Sequence, residues 1–76
     1  MKEVLEHIAR SLVDNPDAVE VTEVEGERGL TLQLRVDPDD MGKVIGRSGR
    51  TARAIRTVVK AAAVKTGQHV HVEIVD

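Results

Sequence analysis

Two glycines three positions apart interrupt a long helix-like pattern in the second half of the chain. The segment is Gly42-Lys43-Val44-Ile45-Gly46-Arg47-Ser48-Gly49-Arg50-Thr51. Glycine adopts positive φ at no steric cost, so Gly46 and Gly49 permit a tight turn that brings backbone N–H groups close to a ligand. The turn leads into the start of a helix, where unpaired N–H groups and the positive end of the helix dipole attract anions. The spacing therefore predicts two helices joined by a turn that can hold a phosphate backbone.

The rest of the chain divides into segments of helical and of alternating hydrophobicity. Helices are predicted at residues 2–14, 40–45 and 50–66, and strands at residues 19–24, 30–36 and 69–74. The polar link Gly26-Glu27-Arg28-Gly29 makes the first two strands an antiparallel hairpin, and Gly67 suits a left-handed cap after the last helix. The inward side of that helix is predicted to carry Ala52, Ile55, Val58, Val59, Ala62 and Ala63. The order helix–strand–strand–helix–helix–strand predicts one α+β domain, residues 1–76.

The charges are segregated along the chain, although its net charge is only −2. Residues 1–40 carry eleven acidic and four basic residues, whereas residues 41–72 carry seven basic residues and no acidic one. This asymmetry favours a polyanionic partner for one face, the alternative being that the acidic and basic segments pair with each other. The three arginines nearest the turn are the predicted nucleic-acid contacts and the later basic residues are predicted to be solvated: Arg47, Arg50 and Arg53, against Arg56, Lys60 and Lys65.

Composition excludes several classes of function. Phe, Trp and Tyr are absent, which removes nucleic-acid readers that stack bases on aromatic rings. Cys is absent too, so there is no disulfide, thiolate nucleophile or cysteine-based zinc site. The glycine pattern lacks the Lys-[Ser/Thr] ending of an NTPase phosphate loop and the third glycine of a dinucleotide fingerprint. No apolar run approaches the roughly 18 residues that cross a bilayer, and the charged N-terminus does not fit a secretory signal.

Catalysis and metal binding are not predicted either. The carboxylates of the first half are spread over a helix, a strand and a turn, with no apolar pocket to shift a pKa. His69 and His71 share one face of the last predicted strand, but no third ligand lies near them in the sequence. We therefore expect a protein that binds rather than an enzyme, with no cofactor and no metal.

The glycine turn and its flanks resemble a known signature. Val44-Ile45-Gly46-Arg47-Ser48-Gly49, between a short helix and a longer one, is similar to the Gly-x-x-Gly signature of the KH domain. The element order resembles the type II, or bacterial, KH topology, and the likeness to the small stand-alone KH proteins of the KhpA type extends over the whole chain. The resemblance implies a single type II KH domain in which a three-stranded mixed sheet packs against three helices.

The resemblance also implies a binding site. In KH domains the Gly-x-x-Gly loop clamps the backbone of about four single-stranded nucleotides. This role is carried over to Gly46, Arg47, Ser48 and Gly49, and the walls of the adjoining groove to Lys43, Val44, Ile45, Arg50, Arg53 and the second strand. Ala52 departs from the family pattern, which often has a larger aliphatic residue there, and this implies a wider or shallower groove.

Function and partners are implied in the same way. The likeness points to a cytoplasmic bacterial protein that binds single-stranded RNA as an RNA chaperone or post-transcriptional regulator. KhpA-type proteins are linked with self-association and with a larger KH-containing protein of the Jag/KhpB type, so a homodimer and such a heteromer are the expected protein assemblies. The alternative is a KH-fold adaptor that pairs proteins, with weak or incidental RNA contact.

Overall fold

Three helices cover one face of a three-stranded sheet. The computed structural model describes residues 1–75. Its helices and strands are α1 (Lys2–Leu12), β1 (Glu20–Gly26), β2 (Gly29–Arg35), α2 (Met41–Ile45), α3 (Arg50–Val64) and β3 (Val70–Val75). The predicted order and the α+β class are confirmed. None of the helices in this described range has both the length and the apolar character needed to cross a membrane.

The sheet is mixed, and β2 is its central strand. β1 runs antiparallel to β2, with Glu20 opposite Arg35, so the predicted hairpin is confirmed. β3 runs parallel to β2 on its other side, with Leu30 opposite Val70. A parallel pair requires a crossover connection, which α2 and α3 supply. This topology leaves β3 at the edge of the sheet.

The core consists of aliphatic side chains alone, because the chain contains no aromatic residue. One stripe of each long helix packs against alternate residues of the strands, in keeping with periods of 3.6 and 2 residues. The fully buried large side chains are Leu5, Leu32, Leu34, Val44 and Val59. The sheet and the two long helices therefore share a single hydrophobic core.

Two residues predicted to face inward lie outside this core. Val58 is 49% exposed. The buried stripe of α3 consists of residues three, four and four positions apart, Ala52, Ile55, Val59 and Ala63. Successive helix residues are about 100° apart, so a side chain next to Val59 points away from that stripe. Ala62, also predicted inward, is only half-buried.

The helix ends differ by one or two residues from the predicted ones. α1 ends at Leu12 because Val13 is extended, with φ −96° and ψ 160°. α2 begins at Met41, since Asp40 belongs to a short 3₁₀ turn before it. α3 ends at Val64, and Gly67 follows with φ +72°, so the predicted left-handed glycine is confirmed.

The buried residue Asp40 joins the end of α1 to the start of α2. It is 3% exposed, and its carboxylate accepts the Asn15 N–H at 3.0 Å and the Lys43 Nζ at 3.4 Å. Burial raises the pKa of Asp40, but the backbone N–H groups of Asn15 and Asp14 and the Lys43 ammonium outweigh it and hold the pKa below its ordinary value. Hydrogen bonding to the Asp14 carboxylate at 2.8 Å, with support from Asp40, raises the pKa of Lys43.

Candidate nucleic-acid interface

The turn between α2 and α3 has a backbone that few side chains tolerate. Gly46 has φ +75° and ψ 173°, and Ser48 (φ +57°) and Gly49 (φ +74°) are both left-handed. The Gly49 N–H donates to the Gly46 carbonyl at 3.2 Å, and the Arg50 N–H donates to the Arg47 carbonyl. The chain thus turns tightly at the predicted positions and enters α3 directly.

The two glycines are needed for different reasons. A Cβ added at Gly46 would lie 2.7 Å from the Cβ and 2.9 Å from the backbone N of Thr51, which is in the first turn of α3. A Cβ added at Gly49 would meet no atom within 4 Å among the described residues. Gly46 therefore brings the turn into direct contact with α3, whereas Gly49 supplies only the positive φ.

The start of α3 offers a site for an anion. Its N-cap is Gly49, and no side chain of residues 1–75 caps this end. N–H groups in an uncapped first turn are available to a ligand, and the helix dipole favours negative charge there. Arg47 and Arg50 are exposed beside it, and the sequence has no acidic residue from Met41 to Val72. The arrangement suits a phosphate group.

A groove of about 490 Å³ opens next to the turn, between α3 and β3. Its lining residues are Ile45, Ser48, Gly49, Ala52, Arg53, Arg56 and Ile74. Ile45 and Ile74 give it apolar walls, and the small buried residue Ala52 leaves it open between them. An apolar groove with cationic side chains along it can accommodate a flat base while its phosphate stays at the turn.

The strand that forms the groove wall is not the predicted one. The family resemblance implies a wall formed by the second strand. β2 lies in the middle of the sheet and is hydrogen-bonded to a strand on each side, so its edges are covered. β3 is the edge strand beside α3, and Ile74 of β3 lines the groove.

Two arginines of α3 hold the site together. The Arg53 Nη2 donates to the Ser48 carbonyl at 3.1 Å and so supports the left-handed residue of the turn. The Arg56 Nε donates to the Val72 carbonyl at 3.3 Å and links α3 to β3. The prediction that Arg56 is solvated is wrong, because Arg56 is half-buried and lines the groove. Its position four residues after Ala52, on the same helix face, is the signal that could have identified it.

Three residues predicted as groove walls are not among the residues that line the groove: Arg50 is exposed at the start of α3, and Lys43 and Val44 lie on α2. Val44 is 0% exposed and belongs to the core, so its side chain does not form a groove wall as predicted. Lys43, the residue before it, is exposed and directs its ammonium group to Asp14 and Asp40. The groove is lined instead by Ile45 from the same helix. A five-residue helix is too short for its hydrophobic pattern alone to distinguish the core side from the groove side.

His71 of β3 and His69, the residue just before this strand, form no metal-ligand group with a third residue among residues 1–75. Across residues 1–75, no three His, Cys, Asp or Glu residues are grouped so that they could hold a metal ion. His69 and His71 are exposed, and with Lys60 they line a second concavity of about 190 Å³. This concavity lies between the other end of α3 and the start of β3.

A known protein family and several known sequences match almost the whole chain. The family model for the KhpA/KhpB KH domain matches residues 2–74. The RNA-binding protein KhpA of Clostridium acetobutylicum is 63% identical over 75 residues, which are 99% of this chain and 100% of that protein. The RNA-binding protein KhpA of Aquifex aeolicus is 50% identical over 76 residues, which are 100% of this chain and 96% of that protein.

The fold also matches a solved structure. A crystal structure of an Era variant of Aquifex aeolicus bound to GDP.AlF4- aligns with a TM-score of 0.66 at 18% sequence identity. The alignment covers 96% of this chain and 28% of the Era chain. At this identity the likeness concerns the fold alone.

Proposed function

This chain belongs to the KhpA/KhpB family of KH domains, and from that membership we propose that it binds single-stranded RNA through the turn Gly46–Gly49. One observation carries the proposal: a tightly constrained glycine turn opens onto an uncapped helix start and an apolar groove. Relatives at 50% to 63% identity bear the name RNA-binding protein KhpA, which supports the same ligand. Residues 1–76 act as one KH domain in this proposal.

Binding requires no covalent chemistry. Arg47, Arg50 and the N–H groups at the start of α3 hold phosphates, and the groove beside them receives bases between Ile45 and Ile74. About four nucleotides are held, as is usual for a Gly-x-x-Gly loop. A protein that binds RNA reversibly and leaves its covalent structure unchanged can act as an RNA chaperone or post-transcriptional regulator. Such a role belongs to the cytoplasm, where its RNA partners are.

A charge reversal in the turn tests this proposal. Arg47→Asp with Ser48→Asp places two carboxylates where phosphates bind and leaves both glycines unchanged. The chain offers a matched control, since Arg10 and Ser11 form the same exposed dipeptide on α1. Fluorescence anisotropy with random single-stranded RNA should show a loss of tenfold or more, about 1.4 kcal/mol, for the turn variant only. Equal binding by both folded variants would refute the turn as the site.

A second candidate function is protein pairing through α3. Val58 is 49% exposed, and Ala54 and Ala61 lie near it on the outward side of the same helix. Small side chains of this kind allow another helix to approach closely. The proposed assemblies are a homodimer or a pair with a KhpB-type KH protein, whose family name the matching model shares. Sedimentation of the wild type and of Val58→Glu measures this: a dimer that the substitution disrupts supports it, and a wild-type monomer contradicts the homodimer.

A further inference from the structure

The two concavities beside α3 lie one after the other along the seam between α3 and β3. The residues of α3 that line them recur three or four positions apart or lie next to such a position: Ala52, Arg53 and Arg56 line the first, and Lys60, Ala63 and Val64 line the second. This spacing places them on a single helix face. The facing residues of β3 run in the opposite order, from Ile74 in the first concavity to Val70 in the second. Between them the Arg56 side chain reaches the Val72 carbonyl at 3.3 Å.

The seam between α3 and β3 extends well beyond the turn Gly46–Gly49, beside which the first concavity lies. From Gly49 to Ala63, α3 extends about 21 Å at 1.5 Å per residue. The first concavity occupies the half next to the turn, and the second, of about 190 Å³, occupies the far half. The Arg56 link to β3 separates the two. A ligand that leaves the turn site along α3 therefore meets a second concavity on the same side of the molecule.

The chemistry of the far concavity suits the same kind of ligand. Lys60 supplies a cation, Gln68, His69 and His71 supply polar groups, and Ala63, Val64 and Val70 supply apolar surface. Among residues 1–75, neither concavity is lined by an acidic residue. A cation beside apolar surface is what a nucleotide needs, since its phosphate is anionic and its base is flat and largely apolar on its faces.

We propose that single-stranded RNA longer than four nucleotides continues from the turn along α3 and β3, and that Lys60 binds a phosphate in the far concavity. This inference rests on the proposed RNA binding at the turn and extends it to a second subsite. Arg56 forms the boundary between the two subsites. The occupant is RNA because the far concavity lies on the same face of α3 as the first concavity and, like it, combines cationic and apolar side chains.

The test compares Lys60 of α3 with Lys65, a lysine of the same charge that follows the helix. Lys60 lines the far concavity, whereas Lys65 is exposed just beyond the helix and lines neither concavity. Lys60→Ala and Lys65→Ala are titrated with a random tetranucleotide and a random decanucleotide of single-stranded RNA. We expect Lys60→Ala to weaken decanucleotide binding about threefold to tenfold and to lower its salt slope by about 0.7. Tetranucleotide binding should not change, and Lys65→Ala should resemble the wild type with both RNAs.

Each outcome has one meaning. Equal effects of the two lysines on the decanucleotide would overturn the second subsite, because the helix would then act only through its overall charge. An equal loss for both RNA lengths on Lys60→Ala would also overturn it. The proposed function is judged separately, by whether Arg47→Asp with Ser48→Asp abolishes tetranucleotide binding. Amide chemical shifts give an independent measurement: those of Val70 and His71 should move with the decanucleotide and stay unchanged with the tetranucleotide.

Discussion

At the scale of single residues, the two glycines of the turn differ in what an added methyl group would meet. Gly46→Ala and Gly49→Ala both force L-alanine to positive φ, at about 1–3 kcal/mol each. At Gly46 the new Cβ also meets Thr51, with backbone N at 2.9 Å. Urea denaturation should therefore show a larger loss of unfolding free energy for Gly46→Ala than for Gly49→Ala. Equal losses would mean that Thr51 and its helix turn move aside without cost.

Ser48 is the one left-handed residue of the described chain that is not glycine. Asparagine occupies this conformation more readily than serine. Ser48→Asn should raise the unfolding free energy by about 0.5 kcal/mol, within the cost of a strained φ. Ser11→Asn, in the last turn of α1, is the control and should give no gain. A stability decrease at Ser48 would show that its side chain, and not only its backbone, matters to the turn.

At the scale of elements, the carboxylate of Asp40 holds α1 and α2 together in a pH-dependent way. Its pKa is lowered in the folded protein, so its contribution to stability is present above the unfolded-state pKa and is lost as the pH falls through the folded-state value. The groups that face its carboxylate are the Lys43 ammonium and the backbone N–H groups of Asp14 and Asn15. Asp40→Asn should destabilise the protein at neutral pH and flatten the fall in stability below about pH 5.

The control for Asp40 is its neighbour in the chain. Asp39 is exposed, and Asp39→Asn should leave both the stability and its pH dependence close to those of the wild type. Thermal unfolding across the acid range, monitored by circular dichroism, measures all three proteins. If Asp40→Asn and the wild type lose stability in parallel as the pH falls, the carboxylate does not carry the acid sensitivity.

The elements also show which features the sequence could predict. The order of helices and strands and the glycine turn depend on local patterns, and they were predicted correctly. The wall of the groove depends on β3 joining β2 from the far end of the chain, and no local pattern specifies that pairing. The hydrogen bond of Arg56 could not be predicted, because its partner is a carbonyl sixteen residues away on β3. Its spacing from Ala52 indicates only the helix face on which it lies. Val44 was misassigned because one turn of helix cannot indicate which side faces the core.

At the scale of the whole molecule, the segregated charge should make RNA binding strongly dependent on salt, although the net charge of the chain is only −2. RNA affinity should fall steeply with salt, because each phosphate contact releases counterions. Arg47→Ala should reduce the slope of log affinity against log salt by about 0.7. Arg28→Ala, in the exposed link between β1 and β2, is the matched control and should leave the slope unchanged. Identical slopes for both variants would mean that the arginine at the turn makes no phosphate contact.

The groove also depends on the parallel pairing of β2 with β3, which joins distant parts of the chain. Gln33 and Glu73, which face each other across that pair, are forty residues apart. A chain truncated after α3 keeps the glycine turn and the cationic side chains beside it but lacks one wall of the groove. Contacts of such long sequence separation form late. The protein should therefore bind RNA in the groove only once β3 has joined the sheet. A chain truncated before Val70 should not bind RNA there.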